Sequence, residues 1–283
     1  MFVFLNGRLI PAADAVVSVF DRGFLYGDGL FETLRVMKGV PLDWDGHWRR
    51  LAHGAETLKV KLPFTSEVLR AQARELSRHN QLPEAILRLT LSRGVGSRGY
   101  SPRGADTPTF IMSLHPAPEL GSCAPQWKLH TASLRLPTGD ALSGCKSASK
   151  LLYVLARAAA EAAGANDALL LNVRGELAES ASGNLFWLEQ ETVHTPPLES
   201  GALPGTTREL VLGWCAEHRL VFCETVAKRA RLLRASGCFL TLSSLGVVEV
   251  TALDGKTIPT ASLTRRIRKG VLSSWRRMAK RVE

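Results

Sequence analysis

The sequence lacks the features that mark membrane-spanning, disulfide-stabilised or zinc-binding proteins. No apolar run reaches the length of a membrane span, and Asn6 and Gly7 interrupt the N-terminal stretch before the core of a signal peptide could form. The five cysteines are an odd number without a C-x-x-C pair, which argues against a disulfide framework and a zinc site. Internal repeats and low-complexity segments are also absent. We therefore expect a cytoplasmic protein with reduced cysteines, no bound metal and no membrane partner.

The size and charge of the chain leave several classes of partner open. Of the 283 residues 45% are hydrophobic, which is enough for two cores of ordinary size, so two domains are expected. The formal net charge of +10 is compatible with a nucleic-acid partner, an anionic substrate or a basic, soluble surface. Much of the excess lies near the C-terminus, where basic residues share a helical pattern with Ile267, Val271, Leu272 and Trp275. That pattern predicts a terminal helix with one packed and one solvated face, so we expect an anionic small-molecule substrate and no nucleic-acid partner.

Turn residues and hydrophobic periodicity predict an α+β first half. Asn6-Gly7 lies between two short apolar stretches and favours a β-hairpin, because this pair readily takes positive φ at both positions. The spacing of apolar residues predicts one helix capped by Asp45 and a second helix around Leu69. Further strands are predicted at residues 30–37, 86–92 and 109–114.

A stretch rich in proline, glycine and polar residues then predicts a domain boundary. We expect an N-terminal α+β domain at residues 1–117, a linker at 118–125 and a C-terminal α/β domain at 126–283. The elements predicted in the second half are a strand at 127–134, an alanine-rich helix at about 149–163 and a strand at 168–173.

One helix start in the second half is predicted from its capping pattern. Thr206 is followed three residues later by Glu209 and then by an apolar run, which indicates a capping box with Thr206 as the N-cap. The N–H groups and positive dipole end of such a start can bind an anion. The pattern alone is a weak signal, because most capped helix starts bind only water.

Four blocks of sequence carry the chemistry. They are DRGFLYGDGLFETLRV at 21–36 with HWRRL at 47–51, KSASKLLYVLA at 146–156, GELAESASGNLFWL at 175–188, and the pair GTTR at 205–208 and TLSS at 241–244. With these blocks the sequence resembles the class IV aminotransferases, a family that includes branched-chain and D-amino-acid transaminases and aminodeoxychorismate lyases. The resemblance extends from Phe2 to about Val250.

The resemblance implies both a fold and a cofactor. Family members are two-domain α+β enzymes of fold type IV that bind pyridoxal 5′-phosphate (PLP) at the domain interface, and they form dimers with active sites near the subunit interface. The lysine that carries PLP as a Schiff base matches Lys146. Lys150 is a rival, but a nucleophilic amine needs partial desolvation, and Lys150 is predicted to lie inside a helix where it can point to water.

The resemblance also assigns contacts to the cofactor. Glu179 matches the acidic residue that keeps the pyridine nitrogen protonated, so that the ring can act as an electron sink. Glu176 falls three positions early, at a predicted turn, and Asn184 belongs to the same motif as Glu179. The residues that match the family's phosphate contacts are Arg50, Thr206, Thr207 and Ser243. The alternative for Arg50 is a solvated arginine on a helix face.

Within the family, one segment bears on the reaction. The run R-G-x-G-x-R-G-Y at 93–100 is similar to the aminodeoxychorismate lyases, which convert 4-amino-4-deoxychorismate to 4-aminobenzoate, a folate precursor, and pyruvate. A glycine-rich surface turn has the same composition. Candidate contacts to this small anionic substrate are Arg98, whose guanidinium can bind a carboxylate bidentately, Tyr100 and Phe31. The alternatives are a D-amino-acid or branched-chain aminotransferase and, remotely, a non-catalytic nucleic-acid-binding protein.

Overall fold

The computed structural model describes residues 1–280, which divide into two compact units. Unit 1 contains Met1–Pro118, Cys145–Lys150 and the chain from Trp275 on, whereas unit 2 contains Glu119–Gly144 and Leu151–Ser274. The predicted domain boundary places Cys145–Lys150 in the C-terminal domain. The structure instead groups this segment with unit 1, because it hydrogen-bonds to a strand of that unit.

Unit 1 is built on one antiparallel sheet. Its elements are β1 (Phe2–Leu5), β2 (Arg8–Pro11), α1 (Arg22–Tyr26), β3 (Gly29–Met37), β4 (Val40–Pro41), α2 (Trp44–Leu58), α3 (Ser66–His79), β5 (Ala85–Ser92) and β6 (Thr109–Pro116), with a short 3₁₀ turn at Ala12–Asp14. The six strands run in the order β2-β1-β6-β5-β3-β4. The predicted strands at 30–37, 86–92 and 109–114 are confirmed as β3, β5 and β6.

The first turn of unit 1 follows the prediction, whereas the start of its first long helix does not. Asn6 and Gly7 have φ values of 48° and 93° and join β1 to β2 in the predicted hairpin. Asp45 is not the cap of α2, because the helix begins one residue earlier at Trp44. The Trp44 side chain is 2% exposed and its indole Nε1 donates to Ser66 Oγ at 3.0 Å, so burial of this residue fixes where the helix begins.

The core of unit 1 lies between the sheet and the two longer helices. Alternating residues of β3 and β5 face α2 and α3, as expected for a sheet with one covered face. The core residues include Leu34, Val36, Leu51, Leu69, Leu76 and Leu87.

A short segment far along the chain completes the edge of this sheet. Because β4 pairs with Val36 and Met37 at the end of β3, the edge at the beginning of β3 is open to another partner. Phe31 N donates to Lys146 O at 3.0 Å, and Ala148 N donates to Gly29 O at 2.9 Å. Backbone hydrogen bonds therefore fix the position of Lys146 in unit 1.

Unit 2 contains a larger mixed sheet. Its elements are β7 (Gln126–Leu136), α4 (Leu151–Ala162), β8 (Asp167–Asn172), β9 (Leu177–Ser180), β10 (Asn184–Glu189), β11 (Thr192–Thr195), a 3₁₀ turn (Leu198–Ser200), α5 (Thr206–Glu217), β12 (Phe222–Glu224), α6 (Arg229–Leu232), β13 (Gly237–Leu242), β14 (Gly246–Leu253), β15 (Lys256–Thr257) and most of α7 (Ser262–Lys280). The strand order is β12-β11-β10-β13-β14-β7-β8-β9, with β15 on β14. A further pairing of β9 with β10 closes six of the strands into a ring, and its register joins Glu179 to Asn184.

The helices of unit 2 correct two sequence expectations. α4 begins at Leu151, two residues later than predicted, so Lys150 precedes the helix. The N-cap of α5 is Gly205, and no side chain makes a capping bond there, so the predicted capping box with Thr206 as N-cap is wrong. Thr206 is instead the first helical residue. The predicted strands at 127–134 and 168–173 are confirmed as β7 and β8.

The C-terminal helix has the predicted packed and solvated faces, with one exception. Ile267 and Val271 are buried, and Arg265 is exposed. Arg268 is buried, and its guanidinium donates to the carbonyl oxygens of Leu245, Val247 and Gly121. The end of the predicted helical stretch, residues 281–283, lies outside the described residues. Within residues 1–280 no helix combines the length and apolarity needed to cross a membrane.

Candidate functional site

Lys146 lies in unit 1 beside Phe31 and Arg88. The Lys146 Nζ is 4.7 Å from the centroid of the Phe31 ring, and the Arg88 Cζ is 4.1 Å from the same centroid. Burial lowers the pKa of the Arg88 guanidinium, although it stays cationic at physiological pH. Lys146 is half-buried, which meets the desolvation requirement for a reactive amine. The Phe31 ring thus contacts both the candidate lysine and the Arg88 guanidinium. Arg88 was not among the predicted site residues.

Arg50 is a buried member of an ion network in unit 1. Its Nε and Nη2 donate to the two carboxylate oxygens of Glu32, each at 2.7 Å, and His47 Nδ1 lies 2.7 Å from Glu32 Oε2. Burial alone would raise the pKa of Glu32, but Arg50 and the hydrogen bonds from Arg50 and His47 lower it to about 2. Arg50 is only 8% exposed, so the solvated-arginine alternative is wrong.

The loop at 93–100 presents two of the predicted substrate residues on the surface of unit 1. Arg98 is exposed, and Tyr100 is 88% exposed. The ring of Tyr100 contacts that of Tyr26 edge-on at a centroid distance of 5.6 Å. Arg98 is therefore available to an anion.

Glu179 lies in unit 2 as a buried carboxylate that accepts hydrogen bonds from a phenol, an amide and a backbone N–H. Tyr153 Oη donates to Glu179 Oε1 at 3.0 Å, and Leu203 N donates to Glu179 Oε2 at 3.0 Å. Burial, together with the adjacent Glu179 carboxylate, raises the pKa of the Tyr153 phenol far above its usual range. The phenol is therefore a permanent donor to Glu179, which favours the ionised carboxylate.

Asn184 organises the surroundings of Glu179. Its Nδ2 donates to Leu203 O at 2.7 Å and to Glu179 Oε2 at 3.3 Å. Its Oδ1 would lie only 1.9 Å from a Cβ built on Gly205, so any other residue there would have to displace the Asn184 amide. Both N–H groups of the Asn184 amide are used inside the protein, which makes this residue a support for Glu179 and for the loop that leads into α5.

The start of α5 supplies the predicted threonines. Thr206 and Thr207 occupy its first turn and are 5% and 6% exposed. Ser243 lies in the tight connection between β13 and β14, half-buried. The nearby Thr241 Oγ1 is buried without a hydrogen-bond partner among residues 1–280. Thr241 is paired with Asn184 across β13 and β10, and directly paired residues share one face, so Thr241, Asn184 and Glu179 face the same side.

These observations fit the cofactor that the sequence implies. The unsatisfied Thr241 hydroxyl calls for a polar partner, the first turn of α5 favours an anion such as phosphate, and the Glu179 carboxylate suits a protonated ring nitrogen. In unit 1 the half-buried amine of Lys146 suits a carbonyl group. The residues present therefore can hold PLP.

Glu176 and Lys150 are the alternatives to Glu179 and Lys146, and each has different neighbours from the residue it was weighed against. Glu176 lies at the turn between β8 and β9, where Asn172 Nδ2 and Arg174 Nε donate to it at 2.8 and 2.9 Å. The hydrogen bonds of this turn thus satisfy the Glu176 carboxylate. Lys150 is half-buried immediately before α4, not within the helix as the sequence analysis has it.

The predicted site residues fall into two sets, one in each unit. Unit 1 holds Lys146, Arg50, Phe31, Arg98 and Tyr100, and unit 2 holds Glu179, Asn184, Thr206, Thr207 and Ser243. Sequence reasoning missed Glu32, Arg88, Tyr153 and Thr241. A usable signal existed for two of these: Arg88 alternates with Thr90 and Ser92 on a polar strand face, and Tyr153 is the one phenol in an alanine-rich helix.

Comparisons with known proteins show the family that this chain is similar to. The chain matches the family model for amino-transferase class IV over residues 29–253. It is 34% identical to a Methanocaldococcus jannaschii protein provisionally described as a branched-chain-amino-acid aminotransferase, over 91% of this chain and 90% of that protein. It is 31% identical to the 4-amino-4-deoxychorismate lyase of Pseudomonas aeruginosa, whose crystal structure superposes with a TM-score of 0.83 over 96% of this chain and 98% of that one. A T.th. branched-chain amino acid aminotransferase, in a crystal structure with pyridoxamine 5′-phosphate, is 25% identical, with a TM-score of 0.90 over 98% of this chain and 94% of that one.

Proposed function

Because this chain belongs to the class IV aminotransferase family, we propose that it is a PLP-dependent 4-amino-4-deoxychorismate lyase. It converts 4-amino-4-deoxychorismate to 4-aminobenzoate and pyruvate. The second candidate, an amino-acid aminotransferase, is favoured by the likeness to the Methanocaldococcus jannaschii protein. The two reactions use the same cofactor and differ in the substrate that the site accepts.

The observation that carries the lyase proposal is a pair of arginines in unit 1 without acidic partners. Arg88 is half-buried against Phe31, Arg98 is exposed, and neither makes an ion pair or hydrogen bond with its side chain to residues 1–280. Aminodeoxychorismate carries two carboxylates. The amino donors D-alanine and the branched-chain amino acids carry one, although the acceptor 2-oxoglutarate carries two, so the product assay below decides between the two activities. Two available guanidinium groups suit a dianion.

The proposed roles of the protein groups follow from their chemistry. When PLP is bound, its protonated ring supplies an electron sink for the pair left at carbon when a proton departs. Lys146 holds the cofactor and, once released by the substrate amine, takes the proton from C4 of the substrate. The C–O bond to the enolpyruvyl group then breaks, the ring becomes aromatic, and a proton returned to the enolpyruvyl methylene carbon completes pyruvate. No water or redox partner is consumed, and the same lysine can return the proton.

Other residues hold the cofactor in this proposal. Glu179 would accept a hydrogen bond from the protonated pyridine nitrogen and so keep it protonated, and Tyr153 and Asn184 hold that carboxylate in place. Thr206, Thr207 and Ser243 bind phosphate oxygens, which the first turn of α5 supports through its N–H groups. Arg50 is assigned to the phosphate as well, with Glu32 fixing its guanidinium.

We also propose that the protein is a homodimer. Phe20 and Phe24 are 64% and 75% exposed, and Val95, which bridges to Asp21, is 51% exposed. Large apolar side chains that lie together at this exposure mark an interaction surface. Light scattering should give a dimer mass for the parent protein, and Phe24→Glu should shift it towards the monomer.

Product analysis tests the activity. Purified protein is incubated with chorismate, glutamine and an aminodeoxychorismate synthase, and 4-aminobenzoate and pyruvate are measured. In parallel, amino transfer from L-leucine or D-alanine to 2-oxoglutarate is measured. We expect 4-aminobenzoate formation to exceed both transfers by far. Rapid transfer without 4-aminobenzoate would establish the aminotransferase instead, and a yellow protein with bound PLP would dismiss the nucleic-acid alternative.

A further inference from the structure

Arg22, the first residue of α1, lies beneath the loop that carries Arg98. It is 3% exposed. Its Nη1 donates to Gly99 O at 2.9 Å and its Nη2 donates to Tyr100 O at 3.1 Å, so one guanidinium holds the two peptide carbonyls that follow Arg98. We define Arg93–Tyr100 as the substrate loop.

The guanidinium of Arg22 is itself held from two sides. Its Nε donates to Asp28 Oδ2 at 2.8 Å, and its Cζ lies 4.9 Å from the centroid of the Tyr26 ring. Although burial opposes it, hydrogen bonds from Arg93 and Arg22 lower the pKa of Asp28 below its usual value. Arg22 therefore has a fixed orientation before any substrate arrives.

Further bonds tie the loop to α1. Tyr26 Oη accepts from Gly99 N at 2.9 Å, and Arg22 N donates to Gly94 O at 2.8 Å. Arg93, at the start of the loop, donates to Asp28 through Nε at 2.8 Å. Both ends of the loop are thus bonded to α1 or to Asp28, two residues after its end.

The hydrogen bonds to α1 restrict a substrate loop that is rich in glycine. Glycine at 94, 96 and 99 gives the free loop high conformational entropy, and ordering it on substrate binding would weaken affinity. Asp28 also pairs with two guanidinium groups, those of Arg22 and Arg93, which fixes both side chains beneath the loop. The loop is therefore ordered in advance.

We propose that Arg22 is a positioning residue that sets the affinity for the anionic substrate by fixing the carbonyls of Gly99 and Tyr100 and, through them, Arg98. The inference rests on the proposed function, in which Arg98 binds a substrate carboxylate. Arg22 itself does not touch the substrate, so its effect is on KM and on loop order.

The test uses Arg22→Lys, which keeps the charge but loses the fork, and Tyr26→Phe, which removes the acceptor of Gly99 N. Arg103→Lys, at an exposed arginine in the segment that follows the loop, is the matched control. Steady-state kinetics, bound PLP and hydrogen exchange of the peptide that contains Gly99 are measured for each. For Arg22→Lys we expect KM to rise about tenfold or more, as for loss of a charge-assisted hydrogen bond, with kcat and bound PLP near the parent values and faster exchange at Gly99.

Tyr26→Phe should show a smaller rise in KM and, like Arg22→Lys, faster hydrogen exchange at Gly99. Arg103→Lys should match the parent in both measurements. The inference is overturned if Arg22→Lys and Tyr26→Phe both keep the parent KM, or if exchange at Gly99 is faster while KM is unchanged. Should Arg22→Lys fail to fold, the result for Tyr26→Phe decides. If the parent makes no 4-aminobenzoate, the lyase proposal fails separately, and KM is then measured for the amino acid that the parent transaminates.

Discussion

At the scale of single residues, the proposed reaction depends on two buried carboxylates, Glu179 and Glu32. Their hydrogen-bond partners favour the ionised form of each. Glu179 is surrounded by a phenol, an amide and a backbone N–H, and Glu32 is matched to Arg50 and His47. A buried carboxylate without such partners would take up a proton. The neighbours therefore determine which carboxylates remain anionic.

The first prediction concerns which lysine carries the cofactor. Borohydride reduction should fix PLP on Lys146, and peptide mapping identifies the modified residue. Lys146→Ala should fold and lose lyase activity by at least about 10²–10⁴-fold, because general acid–base transfer alone accounts for that range. Lys150→Ala is the matched control and should remain active. An adduct on Lys150, or near-normal turnover by Lys146→Ala, would contradict the assignment.

A second prediction separates the two nearby glutamates. Glu179→Gln removes the anion proposed to keep the cofactor ring protonated, and we expect kcat to fall by about 100-fold or more. Glu176→Gln should keep kcat near the parent value, since this carboxylate bonds to Asn172 and Arg174 at a turn. Both variants are compared at equal bound PLP. Equal losses in the two would mean that the effect is structural.

The site residues that the sequence predicts differ from those that it does not predict in the sequence distance to the residues they contact. Lys146, Glu179 and Asn184 lie in continuous motifs, so family spacing identifies them. Tyr153 contacts Glu179 from 26 positions away in the chain, and Arg88 reaches Phe31 through strand register. Such pairings are set by which elements become neighbours, and local spacing does not contain that information.

At the scale of elements, the start of α5 is fixed by packing. The capping-box pattern selected Thr206, but the helix begins after Gly205, whose missing side chain makes room for the Asn184 amide. A local pattern identified the helix to within one residue. The N-cap position depends on the Asn184 side chain of β10. A local sequence pattern contains no information about a contact with a distant strand.

Two glycines of this region provide a prediction with an internal control. Gly205→Ala would place a Cβ 1.9 Å from Asn184 Oδ1, so we expect a loss of about 1–3 kcal/mol in unfolding free energy and weaker retention of PLP through dialysis. Gly213→Ala, within α5 and with no atom near the new Cβ, should gain about 0.5–1 kcal/mol. Urea unfolding measures both. A neutral Gly205→Ala would show that the Asn184 amide can move without cost.

At the scale of the whole molecule, strand order and the division into units were only partly accessible from the sequence. Alternation of strands, turns and helices identified most elements of both halves. The closure of a strand ring in unit 2 and the pairing of Lys146–Ala148 with β3 were not predicted, because each joins segments that are distant in sequence. No local periodicity records which strand edge remains open for another segment.

Acid sensitivity is a prediction for the molecule as a whole. Glu32 has a folded-state pKa of about 2 against an ordinary value of 4.5. Its stabilisation, about 3 kcal/mol from that difference, is fully present above pH 4.5 and is lost as the pH falls towards 2. Urea unfolding at a series of pH values should therefore show a decline in this window.

Glu32→Gln is the control for this effect. The variant should be less stable at neutral pH by about 3–5 kcal/mol, because it leaves Arg50 buried without a counter-charge, and it should lose the part of the acid decline that Glu32 causes. An identical pH profile for the parent and Glu32→Gln would rule out Glu32 as a source of the decline.

The pairing of Lys146–Ala148 with β3 has a practical consequence for redesign of the enzyme. The bonds that hold this segment come from peptide groups, which every amino acid except proline provides. Backbone hydrogen bonds thus anchor the candidate cofactor lysine, and within the segment Ser147 Oγ accepts one further bond from Ser149 N at 3.1 Å. Ser147 is half-buried and Ser149 is exposed, so libraries randomised at these two positions can be searched for new amine substrates while the lysine stays where it is.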